Sequence, residues 1–333
     1  MNVAQAISDI HLSSSHPDGE SLLFYGAEKA PRKPPPEWRD LLHRMAAQCR
    51  AFEEESFRIA VDDPLISPQP ATFRAQRLLS LTGERYLLRK MPASLWSLKD
   101  IGVHPAIRKY LLDARHTAGG LIVVSGSTGA GKSTTLAAVT EARLHAYGGV
   151  ALTVEDPPEM PLEGTYGEGI CYQQSVRPGG SMPALVRSAL RGYPVGLPSI
   201  LLIGEVRDAE TASLALRSAL DGRLVLTTFH ANSAISGVSR FVDYAAQTMG
   251  RTNARSMFAQ AFRLVMHQRM KASNTEPNLN RMVATYLIDS QPAASIVANP
   301  DASLSTLKDH IRLTHNNLRT GARLAVRKTS ETE

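Results

Sequence analysis

The chain has 333 residues and a formal net charge of +6, so two domains fit its length, and the mild basic excess is weak evidence for nucleic acid. Hydrophobic residues make up 43%, and the only cysteines are Cys49 and Cys171. That composition buries real cores but supports neither a disulfide framework nor a Cys-rich metal site, and it suits a reducing cytosol. The strongest apolar runs, Leu121–Val124 and Ile200–Ile203, are strand-length and no signal peptide is expected in MNVAQAISDIHL, so secreted, integral-membrane, fibrous and disulfide-stapled classes are excluded.

Ala30–Glu37 (APRKPPPE) reads as an extended, proline-rich connector. Trp38–Phe57 is helix-like and charged, Asp62–Pro70 is a loop, and Ala71 to Met91 reads as strand, turn and strand. Residues 1–100 are therefore expected to form a small α+β domain ending in the linker Pro92–His104. From Gly119 onward apolar strands alternate with helical stretches, which predicts an α/β core with a mostly parallel sheet and helices on both faces. Its strands are expected at Leu121–Ser125, Ala151–Glu155, Ile200–Gly204 and Leu224–Phe229, with Asp208 capping a helix over Ala209–Leu220. The core is assigned to residues 101–245 and a helical C-terminal part to residues 246–333. Within that part, Leu307–Lys328 has a helical apolar repeat at Leu307, Ile311, Leu318, Ala322 and Val326, and six Lys/Arg against one Asp between Lys308 and Lys328. A solvated helix face is the expected reading, with an anionic-ligand site as the alternative.

The string GSTGAGKS fits GxxxxGK[ST] with no mismatch, between a buried strand and a helix. Its glycines let backbone N–H groups curl round phosphates, and the helix N-terminus adds partial positive charge. Nucleotide binding is assigned to Gly126, Ser127, Thr128, Gly129, Ala130, Gly131, Lys132, Ser133 and Thr134. Lys132 is the point charge for the β- and γ-phosphates, and Ser133 offers a hydroxyl to Mg²⁺. Thr134 and Thr135 extend the hydroxyl supply toward the α-phosphate and the helix cap.

The strand Ile200–Gly204 ends in Glu205, with Gly204 where the general Walker B pattern has Asp. Glu205 is therefore cast as the group that polarises the attacking water and reaches Mg²⁺ through water. A second acidic cluster, Glu155, Asp156 and Glu159, closes the strand Ala151–Val154 beside two prolines. His230 follows the strand Leu224–Phe229 and is expected to sense the γ-phosphate. No NKxD-type base-reading motif is present, which favours ATP.

These elements in this order resemble the secretion ATPases of the type II, type IV and type IV pilus systems. GSTGAGKSTTLAAV resembles their Walker A box, TVEDPPE their Asp box, ILLIGEVRDAETA their Walker B and TTFHANSA their His box. Ile7–Leu12, FRAQR, GERYLLRKMP, Gln173–Gln174 and SALRGYP match the family pattern outside those boxes, so the resemblance covers residues 7 to about 270. Three departures stand out. Arg223 replaces a family histidine before the last core strand, Tyr193–Ser199 is longer than the family turn, and the region after about Gln268 matches no pilus-retraction C-terminus.

The resemblance implies a RecA-like P-loop core, a PAS-like N-terminal domain, and a homohexamer with ATP and Mg²⁺ between subunits. It casts Arg74, Arg85 and Arg89 as arginine fingers, with Arg191 and Arg207 as weaker candidates; Arg207 could equally pair with Asp208 or Glu210. Lys132, Glu205, Glu159 and His230 complete the catalytic set. The expected protein is a cytoplasmic ATPase peripheral to a bacterial inner membrane, powering type IV secretion, conjugation, or pilus assembly or retraction. Its expected partners are inner-membrane platform or secretion-channel proteins. Direct nucleic-acid binding is not expected, although a nucleic-acid translocase on a RecA-like core is the alternative.

Overall fold

Apolar and polar residues alternate through ATFRAQR, and in the computed structural model this segment and RYLLRK form the expected antiparallel hairpin. The structure describes residues 7–25, 30–177, 179–272 and 280–327. It divides into two units, the first running to Ser94 and including Glu159–Pro161. The boundary thus falls a few residues before the expected one, because the chain after Leu95 packs with the second unit.

The first unit contains β1 (Ile7–Ser13), α1 (Pro17–Glu20), β2 (Leu22–Tyr25), α2 (Arg39–Arg50), β3 (Ser56–Val61), β4 (Ala71–Ser80) and β5 (Gly83–Lys90). The expected helix therefore stops at Arg50, and Phe57 belongs to β3. Its alternation of Phe57, Ile59 and Val61 inward with Arg58 outward is a strand signal. The antiparallel sheet has the order β2-β1-β5-β4-β3. One face, carrying Phe73, Ala75, Tyr86 and Leu88, packs on Leu41, Leu42, Met45 and Cys49 of α2. The period of two turns Arg74, Arg85 and Arg89 to the other face.

The second unit runs through α3 (Pro105–Leu111), β6 (Gly120–Ser125), α4 (Lys132–Tyr147), β7 (Gly149–Glu155), β8 (Gly164–Tyr166) and β9 (Gly169–Ser175). It continues with α5 (Met182–Ala189), β10 (Ser199–Glu205), α6 (Ala209–Leu220), β11 (Leu224–Phe229), α7 (Ala234–Met249) and α8 (Arg251–Ala261). It ends with β12 (Phe262–Ala272), β13 (Asn280–Ile288), α9 (Gln291–Ala298) and α10 (Leu307–Thr320). The sheet order is β13-β12-β6-β11-β10-β7-β9-β8, parallel from β12 to β9 with an antiparallel strand at each edge. Leu121, Val123, Leu201, Ile203 and Phe229 pack into one core with Phe241 of α7 and Phe258 of α8. Each fully buried Leu, Ile, Val or Phe contributes about 1.5–3 kcal/mol.

The helical expectation for residues 246–333 is corrected by β12 and β13. Their apolar stretches, such as Leu264–Met266, are too short for periodicity to separate strand from helix. β12 lies beside β6, so this segment completes the core sheet. The last helix also ends earlier than expected, at a left-handed Gly321, which leaves Ala322 and Val326 beyond its apolar face. Arg327 is no solvated charge. It lies 3.0 Å from the buried Asp289, donates to the Ala259 and Gln260 carbonyls, and its own carbonyl accepts from Arg115. Burial pushes the Asp289 carboxyl up to about 6 against the opposing pull of Arg327 and Arg263. Lys328 lies outside the described residues.

Candidate active site

The buried strand β6 delivers the chain to Gly126, where β12 presses close. A Cβ on Gly126 would stand 2.3 Å from the Gln268 carbonyl oxygen. Gly131 caps α4 at φ +79 in the left-handed region, which glycine tolerates without steric cost. Between them the loop folds over the Lys132 ammonium. That side chain is 8% exposed, and its Nζ donates to the carbonyls of Gly126 (3.1 Å) and Ser127 (2.9 Å). The cradle residues expected from the motif, Gly126 to Thr134, thus form one loop and the first turn of α4.

Thr135 departs from expectation. Its hydroxyl donates at 3.0 Å to Oε1 of Gln268, whose Nε2 donates at 2.6 Å to the Ala130 carbonyl. Gln268 is a site residue that motif reasoning missed, since a lone glutamine in a strand carries no pattern. Its neighbour His267 lies 3.2 Å from the Ser125 hydroxyl. Burial first, then Arg269, holds that imidazole below its ordinary range.

Parallel pairing brings the C-terminal ends of four strands into line. Ser125 pairs with Phe229, Thr228 with Glu205, and Val154 with Ile203. Glu205 therefore stands two strands, about 10 Å, from the strand that carries the phosphate loop. Its carboxylate is 15% exposed, with Oε1 3.2 Å from His230 Nε2. Oε2 receives Arg207 through Nε at 2.7 Å and Nη2 at 2.6 Å. Arg207 is thus turned onto the carboxylate, while Asp208 caps α6 through Thr211 and Glu210 pairs with Arg187.

Glu155, at the end of β7, is buried and accepts from Gln173 Nε2 at 2.9 Å. Gln173 also accepts the backbone N–H groups of Leu162 and Glu163, so it ties the acidic turn together. A Cβ on Gly204 would lie 3.3 Å from the Glu155 Cα and Cγ, so the missing Walker B side chain leaves room for the Glu155 side chain of the adjacent strand. Asp156 follows directly, whereas Glu159 groups with the first unit, where its Oε1 lies 3.5 Å from Arg74 Nη1.

The three arginines expected as fingers, Arg74, Arg85 and Arg89, share one face of the first unit's sheet. Arg74 pairs across from Arg89 in the β4–β5 ladder. Arg89 Nε lies 2.8 Å from Asp9, and Arg85 Nη2 lies 3.1 Å from Glu20. Arg191 is exposed after α5. Arg223 precedes β11, at the opposite end from His230 and roughly 20 Å away along the strand. Its guanidinium lies 5.3 Å from the centre of the Tyr193 ring, whose hydroxyl donates to Ile200. The substitution of a family histidine by Arg223 therefore falls away from the phosphate loop.

The family model described as type II/IV secretion system protein matches residues 62–323. The chain belongs to this family. It is 38% identical over 177 residues to the putative type II secretion system protein E of Escherichia coli K12, covering 53% of this chain and 34% of that relative. It therefore spans about a third of the length of such type II relatives. It is 30% identical over 269 residues to the type IV pilus retraction ATPase PilT of Pseudomonas aeruginosa, covering 79% and 74%. Among solved structures, the pilus retraction motor PilT with bound ADP superposes with a TM-score of 0.67 at 23% identity, covering 96% of this chain and 87% of that one. The Legionella pneumophila ATPase DotB gives 0.66 at 20%, covering 94% and 84%. These neighbours establish the family's fold for the chain: an α/β P-loop core with a mostly parallel sheet, and an antiparallel-sheet domain before it.

Proposed function

We propose that the chain is an ATPase that converts hydrolysis into work on a secretion or pilus machine. The observation that carries this reading is Glu205, held by His230 at 3.2 Å at the end of β10, on the same sheet edge as the phosphate loop. Lys132 and the loop N–H groups bind the β- and γ-phosphates, and Glu205 polarises the attacking water. His230 orients that carboxylate and is read as the sensor of the γ-phosphate. Arg207 shares the carboxylate and is turned away from finger duty in this state.

The donor set fits Mg²⁺, because the Ser133 hydroxyl and the Glu205 carboxylate are hard oxygen ligands. Ser133 would hold the ion directly and Glu205 through water; when bound, it neutralises charge on the phosphates. Glu155 and Asp156 add negative charge at the same edge of the sheet, and Glu159 is assigned to the catalytic set with them.

In a homohexamer, Arg74, Arg85 and Arg89 would meet the nucleotide of a neighbouring copy, exchanging their carboxylate partners for phosphate oxygens. Such fingers are worth about 10³–10⁵ in rate. In this reading the protein works in the cytoplasm, bound peripherally to inner-membrane platform or secretion-channel proteins. Among the described residues no helix is long and apolar enough to cross a membrane.

Two variants test the chemistry. Lys132→Ala should abolish nucleotide binding, and Glu205→Gln should bind ATP without turnover. A Glu205→Gln protein that hydrolyses ATP at the wild-type rate refutes the role given to that residue. Tagged Glu205→Gln protein held in ATP then serves as bait in solubilised inner membranes. A polytopic pilus-platform protein assigns a pilus or type II machine, and type IV channel components assign a transfer motor. Recovery of no membrane protein overturns the membrane assignment.

A further inference from the structure

We propose that Gln268 is a positioning residue of the nucleotide cradle: by holding the Ala130 carbonyl, it aims the Gly131 N–H at the phosphates. This rests on the nucleotide reading above and adds a residue outside the motif.

Gln268 is 1% exposed and lies one position beyond the His267–Ser125 pair, where β12 runs alongside β6 and reaches the loop. Both ends of its amide are engaged, Nε2 with the Ala130 carbonyl and Oε1 with the Thr135 hydroxyl. The orientation is dictated by chemistry. A carbonyl only accepts, so the end facing Ala130 is the NH₂, and the hydroxyl of Thr135 then donates to the oxygen. The Ala130–Gly131 peptide is planar and trans, so its C=O and N–H point in opposite directions. Pinning the carbonyl toward β12 turns the Gly131 N–H the other way, into the concave side where a helix N-terminus receives phosphate. Gly131 is itself hemmed in, since a Cβ there would lie 3.3 Å from Gln268 Nε2.

The two arms of the amide separate aiming from mere bracing. Gln268→Met keeps the side-chain volume and frees the Ala130 carbonyl. Thr135→Val removes the other hydrogen bond and leaves the Ala130 contact in place. Gln268→Met loses both hydrogen bonds of the amide and Thr135→Val only the one they share, so the difference between the two variants reads the Ala130 contact, while the unfolding temperatures read the bracing.

The experiment titrates the full-length chain with ADP and Mg²⁺ by calorimetry, alongside thermal unfolding of each variant without nucleotide. Gln268→Met should weaken ADP at least about tenfold, the scale of one hydrogen bond to a charged group. Thr135→Val should stay within about threefold of wild type. Where the Met variant does not fold, Gln268→Asn replaces it, since one methylene fewer carries the amide out of reach of Ala130. A folded Gln268 variant that binds ADP like wild type overturns the proposal, and so does a Thr135→Val loss equal to that of Gln268→Met. Wild-type protein that binds no ADP instead overturns the nucleotide reading itself.

Discussion

The contact between Gly126 and β12 gives a stability prediction with a magnitude. In Gly126→Ala the new Cβ meets the Gln268 carbonyl oxygen at 2.3 Å, where ordinary contact begins at 3.4 Å, so the loop or the strand must move by about 1 Å. β12 is hydrogen-bonded to β6 on one side and β13 on the other, and it cannot retreat without breaking ladder bonds. Overpacking of this kind costs about 1–3 kcal/mol. The φ of +155 at this position adds backbone strain of about 1–3 kcal/mol. A total of about 4 kcal/mol should lower the unfolding temperature of the second unit by roughly 8–16 °C. Gly129→Ala is the control: φ is +75 there, but nothing lies within 4 Å of the added carbon. Only strain of about 1 kcal/mol applies. Scanning calorimetry of the two variants beside wild type reads both numbers. A Gly126→Ala protein as stable as wild type, or more stable than Gly129→Ala, refutes the claim that β12 dictates this glycine.

Two further predictions concern groups away from the cradle. The Asp289 carboxyl titrates at about 6 when folded, above its ordinary range, so between about pH 4 and 6 the folded chain holds a proton that the unfolded chain has released. Its contribution therefore falls as pH rises through that window, by about 3 kcal/mol in all. His116, which burial keeps neutral down to about 3, acts in the opposite sense over the same range. The Asp289 step is thus read as the difference between wild type and Asp289→Asn in urea unfolding at pH 4, 5, 6 and 7, and parallel curves would dismiss it. Arg223→His, which restores the family residue, should leave ATP turnover within about twofold, because the side chain sits roughly 20 Å from His230; a tenfold change in steady-state ATPase would contradict that placement.

What was legible in the sequence is what local rules write. The phosphate loop sits between its strand and helix, Asp208 caps α6 through Thr211 as its position implied, and β4 and β5 form the strand, turn and strand expected over Ala71–Met91. The edges of units were less legible. β12 places only three apolar residues in a row before His267 and Gln268, and whether such a stretch is helix or strand depends on which neighbour it meets. That neighbour is β6, more than a hundred residues earlier. Arg207 illustrates the same limit at the site. Its sequence leaves a finger role and pairing with Asp208 or Glu210 equally open, yet Asp208 caps a helix and Glu210 pairs with Arg187, and Arg207 turns to Glu205.

The phosphate loop shows why a motif and its support are recovered so differently. GSTGAGKS specifies donors and the glycines that let them converge, and each of those requirements is local. The direction of each donor is a separate matter, because a flexible loop with permissive φ values has several ways to point an N–H. In this chain that choice falls to a buried amide 138 residues away from the carbonyl it holds, and to a strand whose backbone leaves no room for a Cβ at Gly126. The first and last glycines of the motif are thus constrained by β12 as much as by the nucleotide. β12 is then part of the cradle, and a variant that alters β12 packing should be read for nucleotide affinity as well as stability.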